Sequence, residues 1–456
     1  MSGWLVVAHG LGGVRDLPVP EWMFFWGGAV VLVVSFVLLG ALWKQPLLER
    51  LSAGRPAPGW LSRVVLGAPL RIVLQAISAG LFVLVFAAAL VGDSDPLVNL
   101  APIWILVVFW LGVPFLSCVL GNVWRALSPW RAIADGAVWA WERTGRDARP
   151  LGAYPERLGR WPGAVALFAF AALELTYSDP SSPRALALAT AIYTYVTLFG
   201  FMAFGRETWT ASGEGFAILF AYFARVAPFA SREGRLVVRW PLTGLGGAER
   251  VPGSLAFIAV ALGTVAFDGF SRLIWWQNLL ADVETPYILA EPTKAELLAT
   301  GLNLLAMVGF VLLVACSYLL ACAVARSMVN APRSLVPDFL LGLVPIAFVY
   351  LVAHYFSYFV IYGQYAIPQL SDPFGKGWNL FGTAGYVPNL APFSPNTIWW
   401  VQVSSLVAGH VAGLAVAHDR AVAIFRDRGD ALRSQYAMLA LMVLYTIGGM
   451  WLLSRG

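Results

Sequence analysis

Ten runs of roughly 20 mainly apolar residues restrict this chain to one kind of fold. They cover 22–43, 71–92, 100–121, 161–178, 184–204, 252–274, 297–325, 335–362, 398–418 and 436–453. At 1.5 Å of rise per residue, such runs match a hydrocarbon layer about 30 Å thick, and the fourth is the shortest. Lipid offers no hydrogen bonds to the backbone, so each segment must satisfy its own as a helix. The prediction is an all-α, polytopic membrane bundle forming a single domain over 22–453, preceded by an outer arm at 1–21. Composition agrees. Of 456 residues, 59% are hydrophobic and 12% charged, whereas soluble domains carry about 25% charged residues.

Arg and Lys set the orientation. Loops 44–71, 122–160, 205–251, 326–334 and 419–435 hold 24 of the 30 basic residues. These loops are therefore expected in the cytoplasm, with both termini outside the cytoplasmic membrane. The pI near 9.1 reflects this bias and implies no nucleic-acid partner. Residues 216–230, "FAILFAYFARVAPFA", are apolar but interrupted by Arg225 and Pro228. They are expected to form an interfacial helix on the cytoplasmic face. Two outer loops are long, 275–296 and 363–397, and the aromatic residues of the second favour a packed cap. Cys118, Cys316 and Cys322 fall inside apolar runs and are expected to be small core residues.

Ionisable groups within the runs carry the functional signal, because an isolated one is costly in hydrocarbon. They are Glu174, Asp268, His354 and His410, at about 6, 9, 12 and 18 Å below the outer surface by helical rise. Asn303, Tyr355, Tyr358 and Gln402 are candidate supports or pocket residues. Two imidazoles and two carboxylates at comparable depth suit three kinds of role. One is a metal site for zinc or copper, with His354, His410 and Asp268 as ligands. Another is a proton-transfer or substrate-polarising pocket. The third is silent hydrogen bonding between helices. No H-E-x-x-H, C-x-x-C, G-x-S-x-G or P-loop motif decides between them. His418 is expected to belong to a polar cap at the inner end of its span, with Asp338 pairing a basic neighbour nearby. The first residues, "MSGWLVVAHG", lack the basic region of a signal peptide. If the true start lies upstream, "VVA" resembles a cleavage site, and His9 would offer its amine and ring to copper.

Four stretches together resemble a family of bacterial polytopic membrane proteins named fenitrothion hydrolase. They are "AHGLGGVRDLPVPEW" near the start, "TVAFDGFSR" at 264–272, "AHYFSYFVIYGQYAIPQLSDPFGKGWNLFG" at 353–382 and "VQVSSLVAGHVAGLAVAHDRAVAIF" at 401–425. The resemblance implies hydrolysis of apolar organophosphate-type esters that dissolve in the bilayer. Such a reaction needs an activated water and an electrophile at the phosphoryl oxygen. A divalent metal on His354, His410 and Asp268 would supply both, with Glu174 and Asp268 as the catalytic carboxylates. The competing expectations are a transporter or permease for a metal ion or small solute, and a non-enzymatic membrane subunit.

Overall fold

The computed structural model describes residues 20–329, 331 and 333–455. His9 and most of the expected outer arm lie outside the described residues. Among those described, nine helices are long and apolar enough to cross a membrane. We number the main helices α1 (Glu21–Leu42), α2 (Ala68–Val91), α3 (Leu100–Leu120), α4 (Pro129–Glu142), α5 (Trp161–Leu175), α6 (Pro183–Phe204), α7 (Arg206–Ser212) and α8 (Gly215–Ala224). They continue as α9 (Ser254–Ser271), α10 (Pro292–Met328), α11 (Leu343–Tyr362), α12 (Pro395–Ile424) and α13 (Tyr436–Arg455). Proline stands in the first turn of α2, α4, α5, α6, α10 and α12, where its missing N–H costs nothing.

The fourth expected span is α5, only 15 residues long, or about 22 Å. Its ends nonetheless reach both faces of the bundle. Arg160, just before it, pairs with Glu249 at 3.3 Å and donates to Ser254 at 3.1 Å, at the start of α9. Beyond its other end, Ser178 donates to Glu296 in the first turns of α10. The start of α1 and the end of α13 lie at one face, where Gly28 lies against Met450 and Gly269 against Leu452. The expected cytoplasmic loops lie at the other face, called here the basic end.

Small residues set the closest helix contacts, as in other membrane bundles. A Cβ on Gly263 of α9 would stand 2.6 Å from the Cα of Val311 on α10. Gly409 of α12 packs on Val349 of α11, and Gly413 on the backbone of Gly342. In α3, Trp104–Gly112 forms a π-helical stretch. Pro114 follows it, and a proline inside a helix removes a donor and crowds the carbonyl four residues back. The wider register accommodates that clash.

The segment expected to be interfacial is different in the structure. Nine of the ten residues of α8 are buried, against Phe109, Trp110 and Phe170. A helix apolar on all sides has no face suited to water, so it packs inside. After it the chain makes a hairpin, β2 (Phe229–Arg232) and β3 (Arg235–Val238), and β1 (Arg55–Pro56) joins it in the order β1-β3-β2. Glu233 and Gly234 both take positive φ, 50° and 74°, as a two-residue hairpin turn requires. Of the three free cysteines, Cys322 is buried, Cys118 half-buried and Cys316 exposed. Cys316 is therefore not the core residue expected.

Candidate functional site

Asp268 sits in the last turn of α9 and is only 2% exposed. Three side chains converge on its carboxylate. Arg272, four residues on and hence on the same helix face, donates to Oδ1 at 2.9 Å. The Tyr355 hydroxyl donates to Oδ2 at 2.9 Å, and His354 Nε2 lies 2.7 Å from the same oxygen. His354 and Tyr355 are adjacent on α11, yet both reach Asp268, with their rings edge to face at 4.9 Å. Glu174, from α5, completes the group and lies within hydrogen-bonding reach of the Tyr355 hydroxyl. Three helices distant in sequence thus bring two carboxylates, one imidazole, one phenol and one guanidinium together near the end opposite the basic loops.

His410 has different partners. Its Nδ1 lies 2.8 Å from the Leu406 carbonyl of its own helix. A carbonyl can only accept, so Nδ1 carries the proton and Nε2 bears a lone pair. That Nε2 is buried and has no partner among the described residues. Helix register explains the separation. Gly409 sits opposite Val349, which places His354 about six residues, or about 9 Å along the axis, from the level of His410. Asn303 is also elsewhere, accepting from Trp276 at 3.0 Å. Tyr358 packs tilted against Tyr362, with ring centroids 5.0 Å apart, and Gln402 is half-buried on α12.

The expected metal set of His354, His410 and Asp268 is therefore not assembled. Among the described residues no group of three His, Cys, Asp or Glu side chains is placed to hold a metal ion. The Asp268 oxygens and His354 Nε2 are already committed to each other, Arg272 and Tyr355. These donors do not fit zinc or copper, and no step is derived through either. They do fit acid–base work: an imidazole held by a carboxylate that is itself held by two donors.

The basic end carries a second polar network. His418 lies 3.0 Å from both Gln435 Oε1 and the Trp43 carbonyl. Asp419 accepts from Trp43 Nε1 at 2.9 Å and from the backbone of Leu48 and Glu49. Asp338 accepts from Arg420 at 2.7 Å, with Arg250 and Arg333 within 3.8 Å. These bonds tie α12 to the chain ends of α1, α11 and α13.

A cavity of about 1490 Å³ lies between α2, α3, α5 and α6. None of the cluster residues lines it. Its walls are almost entirely apolar, which suits hydrocarbon better than water.

Fold and composition define a multi-pass integral membrane protein with an acid–base cluster buried among its helices. No protein-family profile matches the chain, and neither the curated proteins nor the solved structures contain a match.

Proposed function

We propose that this protein is a hydrolase of the cytoplasmic membrane that cleaves apolar esters of the organophosphate type from within the lipid. The contact between Asp268 and His354, 2.7 Å long and braced by Arg272 and Tyr355, carries the proposal. With Nε2 turned to Asp268, the imidazole presents Nδ1 to a water molecule. The water oxygen attacks phosphorus while Nδ1 takes its proton, and Asp268 stabilises the resulting imidazolium. The proton then passes to the departing alkoxide or phenolate oxygen. Glu174, joined to the pair through Tyr355, is a second proton-holding group beside the substrate. Substrate arrives by partition into the bilayer, which suits a site roofed by helices.

The test uses purified protein in lipid nanodiscs and an aryl dialkyl phosphotriester that releases a coloured nitrophenolate. His354→Ala should lower turnover by about 10²–10⁴, the range general acid–base groups contribute, and His410→Ala should leave it near the wild-type rate. Absence of turnover in the wild type, or full activity in His354→Ala, overturns the proposal. One observation favours transport of a small solute or ion instead. The buried Nε2 of His410, unpartnered among the described residues, lies between the Asp268 cluster and the network at the basic end. Uptake into proteoliposomes that is lost in His410→Ala would select the permease.

A further inference from the structure

We propose that the cavity between α2, α3, α5 and α6 binds an anionic membrane lipid, with its chains inside and its head group at the basic end. Nothing in this rests on the hydrolase reading.

The cavity runs most of the height of the bundle, from Gln364 and Ile367 at one end to Trp124 and Trp130 at the other. Its volume, about 1490 Å³, exceeds the roughly 300–1,000 Å³ typical of small-molecule sites. No charged side chain lines it among the described residues. Three of its polar side chains are already engaged. Ser78 donates to the Leu127 carbonyl, Tyr193 to Glu214, and Gln364 to the carbonyls of Val360 and Asn389. The rest of the lining is mostly aliphatic and aromatic, so the walls suit long hydrocarbon chains. One wall is the π-helical stretch of α3, through Trp104, Val108 and Phe109. π-Helical turns are rare and concentrate at functional sites.

The basic-end mouth supplies the charge. Trp124 and Trp130 line the cavity, and their chain neighbours Arg125 and Arg131 both pair with Glu207. Arg206 stands nearby, paired with Asp135. Three guanidinium groups face two carboxylates, and the Arg125 side chain is 65% exposed. Farther along α4, Trp139 and Trp141 are exposed, with Arg143 and Arg146 over their rings at 3.9 and 5.1 Å. Tryptophan with arginine is the combination that sits at the head-group level of a membrane, and surplus arginine there favours anionic lipids.

Native mass spectrometry of the detergent-purified protein tests this, after titration with dioleoylphosphatidylglycerol or dioleoylphosphatidylcholine. The anionic lipid should be retained in preference. Arg125→Gln should weaken its retention about fivefold, the effect of one basic residue at a charged surface, without changing retention of the zwitterionic lipid. Ala169→Trp, on the cavity wall, should displace both. Because Arg125 is exposed, its replacement keeps the fold, and the result stands even if the tryptophan variant fails to fold. Equal retention of the two lipids overturns the proposal. So does phosphatidylglycerol binding that Arg125→Gln leaves unchanged.

Discussion

Replacing Asp268 by alanine tests the central cluster directly. The carboxylate is 2% exposed and accepts from Arg272 and Tyr355 at 2.9 Å, with His354 at 2.7 Å. Its loss strands a guanidinium whose side chain is only 20% exposed and leaves a phenol and an imidazole without their shared acceptor. Removing one member of a buried ion pair costs about 3–5 kcal/mol, so ~4 kcal/mol is expected here. Asparagine keeps the shape and one acceptor, and should cost about 1–3 kcal/mol, the price of an unmet buried hydrogen bond. In Asp268→Ala/Arg272→Met the stranded charge is gone, and about 2 kcal/mol of the loss should return as coupling. Unfolding in mixed micelles of increasing SDS, read by alkylation of the buried Cys322, measures all three. A cost below ~1 kcal/mol for Asp268→Ala, with no recovery in the double variant, would refute a desolvated hub that three donors hold in place.

Gly263→Ala should destabilise by about 1–3 kcal/mol through overpacking, because its Cβ would meet Val311 backbone at 2.6 Å; the same alkylation assay reads it. Glu207 gives a pH dependence. Partial burial raises its carboxyl, but the hydrogen bond and charge of Arg131, with Arg125 and Arg206, outweigh this and hold it below the usual range. A depressed carboxyl stabilises the fold above its unfolded pKa, and that contribution disappears as pH falls through the lower folded value. Acid-induced loosening of α7 from α4, followed by hydrogen exchange, should therefore begin at higher pH in Arg131→Gln.

Much of the fold is written in the apolar runs. All ten expected spans reappear as helices, because a run of oil-soluble residues in lipid has few other options. What their composition does not encode is who surrounds them. Residues 216–230 look interfacial by length and by Arg225, yet α8 is enclosed by Phe109 and Phe170 from segments far away in sequence. The site is legible in part for the same reason. Depth along the axis groups Glu174, Asp268, His354 and His410, of which the helices bring the first three together, but depth says nothing of register between helices. Gly409 settling on Val349 moves His410 to another level and another partner. Arg272 looks like an interfacial charge until its spacing of four from Asp268 is noticed, and that spacing is the signal that marks it as a partner.

The unequal helix lengths act on the surrounding membrane. At 15 residues α5 is about 22 Å long, and at 37 residues α10 is about 56 Å. A bilayer core near 30 Å can match neither. Beside α10 the helix must lean or project, whereas beside α5 thinning of the lipid is one way to meet the short helix, at a cost of fractions of a kcal/mol for each ångström. Such thinning would shorten the journey from water to the middle of the bilayer on the flank of α5.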